Sequence, residues 1–112
     1  MNAELTELFE SIIEDAGYAI GYWADEATHN TEAQTYAITI QEEYADEYES
    51  KTLTYGDLLE ATKKLASGAV KVNSQTKAVC QAIVSDPSDV DYDADDADVI
   101  VQVAMFGEIV FG

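Results

Sequence analysis

Between Met1 and Ser50 the sequence carries thirteen acidic residues and not one lysine or arginine. Residues 51–77 hold all five basic residues, Lys51, Lys63, Lys64, Lys71 and Lys77, against only Asp57 and Glu60. Residues 78–112 return to eight acids without a base, and the net charge is −18. Self-repulsion on this scale weakens a compact state, so apolar burial has to offset it. With 47% apolar residues in 112, the chain can build a sizeable core, which argues against wholesale disorder. The length fits one domain, residues 1–112. The same charge disfavours binding to nucleic acid or to an anionic membrane, both of which need positive charge, and favours a basic partner.

Hydrophobic periodicity predicts the elements. In residues 2–16, Leu5, Leu8, Phe9, Ile12 and Ile13 follow a 3.6-residue repeat, with Asn2 placed to cap the helix and Gly17 to end it. YAIGYW (18–23) reads as an aromatic strand or turn, with Tyr18, Tyr22 and Trp23 in the core or on a sheet face. Residues 24–33 read as a polar loop. QTYAITIQ (34–41) alternates, with Tyr36, Ile38 and Ile40 on one face, as a half-buried antiparallel strand does. EEYADEYES (42–50) is a charged hairpin or loop, and KTLT (51–54) is its return strand.

Thr54 and Asp57 have the spacing of a capping box for a helix buried through Leu58, Leu59, Thr62, Leu65 and Ala66 and stopped at Gly68. Asn73 or Ser74 opens a third helix through Val84, ahead of Pro87. Residues 98–106 suit helix or strand. Asp93 with Asp96, and Gly107 at the far end, favour a mostly buried helix carrying a solvated stripe of Asp95, Asp98 and Gln102, followed by a terminal strand, EIVF (108–111). The expected fold is α+β, a single domain of three to four helices packed on a small antiparallel sheet.

Chemistry is sparse. Asp89, Asp91 and Asp93 alternate as calcium ligands do, but an EF-hand loop needs glycine at position six and glutamate at position twelve. Counting from Asp89 these are Ala94 and Ile100; counting from Asp91 they are Asp96 and Gln102. His29 is the only histidine and sits in a polar stretch, so no general base is expected of it. Cys80, the only cysteine, lies in KAVCQAIV as a buried small hydrophobe, which rules out an internal disulfide and suits a reducing compartment. No phosphate-binding glycine loop and no Cys/His metal spacing occur. The lysine segment 51–77 could form a small anion site, but Lys63 and Lys64 are read as relief of repulsion with nearby acids. Neither enzymatic activity, nor a cofactor, nor a metal is expected. No basic run precedes an apolar one near the N-terminus, so no leader is expected. The apolar run from Val99 to Phe111 is interrupted by Gln102 and Glu108 and is too short to span a bilayer.

Two segments are candidates for partner binding. One is Glu42, Glu43, Tyr44, Asp46, Glu47, Tyr48 and Glu49, where tyrosine rings supply area and carboxylates meet lysine or arginine. The other is Asp86, Asp89, Asp91, Asp95 and Asp98. Carboxylates at alternate positions of an extended chain are about 6.7 Å apart. Three or four apart on a helix they are about 5–6 Å apart at Cβ. Both spacings are on the scale of a nucleic-acid strand, with one charge per about 3.4 Å. The expected function is inhibition of a basic, nucleic-acid-handling protein by a DNA-mimicking surface. The alternative is a non-mimic interaction or assembly module, homodimeric through the terminal strand or the tyrosines, whose acidity serves solubility. A halophilic source is a third account of the charge.

GYW (21–23) and the closing DADVIVQVAMFGEIVFG resemble small acidic proteins encoded by bacteriophages. The resemblance implies a phage protein acting on a host target in the bacterial cytoplasm. It assigns no residue a role.

Overall fold

The computed structural model describes Met1–Gly112 as an α+β fold. Helix α1 (Ala3–Ala19) leads into a three-stranded antiparallel sheet of β1 (Ala24–Asn30), β2 (Thr35–Ile40) and β3 (Lys51–Thr54). Helices α2 (Tyr55–Ser67), α3 (Ser74–Ser85) and α4 (Ala94–Phe106) follow. The strands lie in chain order with β2 in the centre, Thr28 opposite Ala37 and Tyr36 opposite Leu53. Tyr36, Ile38 and Ile40 face inward as their alternation predicts. Helix α4 is the pivot of the core. Its Ala97, Ile100, Val101, Val103 and Met105 are buried, and it packs against α1, α2 and β3. No helix is long and apolar enough to cross a membrane.

Both expected capping boxes form. Thr54 and Asp57 exchange side-chain and backbone bonds at the start of α2, as Asp93 and Asp96 do at the start of α4. Gly68 and Gly107 end these helices at φ +83 and +76, a conformation in which glycine carries no Cβ penalty.

Several expectations are corrected. Helix α1 continues through Gly17, because its apolar stripe does: Ala16 and Ile20 are buried in register with Phe9, Ile12 and Ile13. Of the strand and turn expected for YAIGYW, the turn forms: the segment finishes α1 and makes a 3₁₀ turn, Ile20–Tyr22. Trp23 is fully buried, whereas Tyr18 is 92% exposed. Residues 24–30 form a strand instead of a polar loop. Exposed along nearly its whole length, β1 is held by pairing with β2, and an edge strand of polar residues has no apolar alternation to betray it. Finally, EIVF is not a strand. Gln102 Oε1 accepts from the N–H groups of Val110 and Phe111 (2.9 and 2.8 Å) while its Nε2 donates to Phe111 O (3.1 Å). One side-chain amide thus takes the place of a strand partner.

The supposed solvated stripe of α4 is largely internal. Asp98 and Gln102 are buried and only Asp95 is exposed. Asp98 Oδ1 accepts from Trp23 Nε1 (2.9 Å) and Gln102 Nε2 (3.0 Å), and Oδ2 from the Tyr22 hydroxyl (2.6 Å). Three neutral donors, two at Oδ1 and one at Oδ2, meet a buried acid where no cation is at hand.

Candidate protein-interaction surface

Of the 23 acidic side chains twenty are exposed; Glu10 is half-buried and Asp96 and Asp98 are buried. One ion pair forms, Lys63 to Glu60 at 3.8 Å between two exposed groups, and contributes little. Two other lysines attend helix ends. Lys51 Nζ donates to Met105 O (3.3 Å) in the last turn of α4, and the Lys77 ammonium lies over Gly68 at the end of α2. Positive charge at a helix C-terminus is favourable there. Lys63 and Lys77 thus serve the α2–α3 side and Lys51 the end of α4, and no ion pair reaches the other acids.

The Asp86–Asp93 connection runs alongside α1. Pro87, Ser88 and Val90 share a shallow groove with Glu4, Glu7 and Leu8. Further on, the Tyr92 hydroxyl donates to Asp15 Oδ2 (2.6 Å) and accepts from Ser11 Oγ (2.6 Å). Burial, and then the hydrogen bond to Asp15, push the Tyr92 hydroxyl up to about 12. Exposed Glu4, Glu7, Glu14 and Asp15 therefore flank exposed Asp86, Asp89 and Asp91. From residue 4 to 15 a helix rises about 16 Å, roughly five phosphate repeats of one strand. The α1 acids are absent from the sequence-based candidates. Their spacing marks a solvent face, but nothing in the sequence says which segment lies beside it.

The candidates divide. Asp89 and Asp91 stand exposed on the connection, and Asp95 is exposed in the first turn of α4. Asp86 is exposed too, but it caps the turn Pro87–Asp89. It accepts from Ser88 Oγ (2.5 Å) and Ser88 N (3.2 Å), which hold its carboxyl below the usual carboxylate range. Asp98 leaves the exposed set, because burial among Trp23, Tyr22 and Gln102 removes it from the surface. In the other segment Glu42, Glu43, Asp46, Glu47 and Glu49 are exposed. Tyr44 and Tyr48 are half-buried and turn back onto the domain: Tyr44 packs on Phe111 (centroids 4.8 Å) and Tyr48 on Phe106 (5.1 Å). Tyr44 joins the second segment through Phe111, which lines one groove with Asp95 and Asp98. Asp95 opens α4 and Phe106 closes it, about 16 Å along the axis. Glu42 and Glu43 instead join Asp25, at the β1 bulge, around an open depression of about 580 Å³.

His29 is not in a loop. It lies on β1, half-buried, with Nε2 at 2.6 Å from the Tyr55 hydroxyl. Cys80 is buried, and that burial pushes its thiol up to about 12. No three His, Cys, Asp or Glu side chains converge as metal ligands would. Comparison with family models, with curated proteins and with solved structures gives no match, so the functional reading rests on this surface alone.

Proposed function

We propose that the protein binds a basic, nucleic-acid-handling protein of a bacterial host and inhibits it by occupying its nucleic-acid site, as a phage-type DNA mimic acting in the cytoplasm. The observation that carries the reading is the double acidic row of α1 and the 86–91 connection, uncompensated by any lysine. Its length suits a groove that follows one strand. The reading also draws support from the fate of the surfaces a homodimer would use: the terminal segment and Tyr44 and Tyr48 pack within the chain. A non-mimic interaction module is the second reading, favoured by the outlying Tyr18.

The test is capture of host proteins from a bacterial lysate, followed by inhibition assays on those captured. Mimicry predicts basic nucleic-acid enzymes, retained at low salt and displaced by duplex DNA. It predicts loss of inhibition when Glu7, Glu14, Asp89 and Asp91 are replaced together by lysine, with the fold intact by circular dichroism. Captured proteins that neither DNA nor salt displaces would refute it.

A further inference from the structure

A groove of about 630 Å³ opens between the start of α4, the turn after α1 and the terminal segment, walled by Val72, Val99, Ile109 and Phe111. Its size is that of a ligand site, roughly 300–1,000 Å³. Its charged groups are Asp95 at the rim and Asp98 below; no lysine lines it. Asp98 is only 8% exposed. Its Oδ1 already accepts twice, but Oδ2 accepts once, from Tyr22, and a carboxylate oxygen has room for two. The Tyr22 ring, 47% exposed, lines the same groove. Tyr18, one turn earlier and next to the groove-lining Ala19, projects into solvent with no partner of its own.

The geometry points to this groove as the seat of an arginine side chain from a partner protein, presented between apolar residues. A guanidinium supplies a planar donor to Oδ2 and Asp95 while stacking on an aromatic ring, and its stem lies on apolar walls. A second copy of the chain does not suit the groove: it brings no arginine and another charge of −18. Tyr18 adds the aromatic area typical of an interface anchor. The inference rests on the reading above only in taking the partner to be basic, and it places the anchor away from the acidic row of α1.

Trp23 is the only tryptophan and its indole N–H binds Asp98, so one NMR signal reports on the site. The probe is a capped nonapeptide with one arginine among leucines and alanines, against the same peptide with neutral citrulline. In about 0.5 M NaCl, where the Debye length is only about 4 Å, the arginine peptide should shift the Trp23 indole signal and the amides of Ile109 and Phe111 saturably. The citrulline peptide should bind at least tenfold more weakly. Asp98→Asn endangers the fold, so the variant of choice is Asp95→Lys at an exposed position; it should also weaken binding at least tenfold, with thermal stability nearly kept. Equal binding of both peptides overturns the inference, as do shifts confined to α1 and residues 86–93. Concentration-dependent shifts of the free protein at these residues would assign the groove to a second copy instead. If the peptide seats here but DNA displaces no captured enzyme, mimicry fails and the groove stands. If DNA displaces the enzyme while Trp23 is unmoved, the groove alone fails.

Discussion

Gln102 illustrates how much structure a single side chain can hold. Its amide binds the two N–H groups of Val110 and Phe111 and the carbonyl of Phe111, and also reaches Asp98 and Tyr22. That clamp sets Phe111 flat against Trp23 (centroids 5.7 Å, interplanar 4°), with Phe106 at the indole edge. Replacing Gln102 by leucine should strand these backbone groups and take one of its three donors from Asp98. A cost of about 2–4 kcal/mol follows from roughly 1–3 for each unmet buried group, read by urea unfolding; unaltered hydrogen-exchange protection of Val110 and Phe111 would refute the clamp. Tyr36 is the opposite case. It is 2% exposed and its hydroxyl is the one buried side-chain oxygen or nitrogen without a hydrogen bond. Tyr36→Phe should therefore be neutral or stabilising, by up to about 1 kcal/mol, and a marked loss of stability would reveal a partner for that hydroxyl. Neither role is legible in sequence. Gln102 and Asp98 stand at the spacing of a polar helical face, and only the approach of Trp23 and the terminal segment turns that face inward. GYW and the closing segment are in space one packing unit.

Helix starts were legible because N-capping is local chemistry. Asn2, Thr54, Asn73 and Asp93 each accept from a backbone N–H three residues on. Asp93 and Asp96 are thus fixed by the needs of α4, and Asp96 also accepts from Thr76 Oγ1 (2.6 Å) in the core. Asp93→Ala should cost about 1 kcal/mol and leave partner binding unchanged, whereas Asp89→Lys with Asp91→Lys should leave stability nearly unchanged and weaken binding. Paired urea titrations and inhibition assays separate these outcomes; a cap variant that loses inhibition at full stability would move Asp93 into the contact. What the sequence hides is association between elements. The strand character of residues 24–30 depends on a neighbour, β2, and the acidic row depends on which helix the 86–93 connection happens to follow.

At the scale of the whole molecule, charge and burial pull stability in different directions. Twenty exposed acids with one long ion pair repel one another, so screening should stabilise the fold. Raising NaCl from about 0.01 to 1 M shortens the Debye length from about 30 to about 3 Å. A gain on the order of 1 kcal/mol, about 4–8 °C in Tm for a domain of this size, is expected by calorimetry, and a flat response would mean the acids are paired in solution. Alkali acts on the core instead. Burial pushes Tyr36 and Tyr92 from 10.0 to about 12 and Cys80 from 9.0 to about 12, and Tyr22 and Tyr55 are raised as well. The folded chain then keeps protons that the unfolded chain has released, so stability falls as pH rises wherever the unfolded state binds fewer. The contribution is fully present below about pH 9, erodes first through Cys80 and then through the tyrosines from about pH 10, and is still being lost as pH rises through about 12. Urea midpoints measured from pH 8 to 12 should trace that fall, and Tyr92→Phe should make it shallower. A Tyr92→Phe slope equal to the parent's would mean that this hydroxyl titrates alike in both states and that the link from the 86–93 connection to Asp15 is not held in solution.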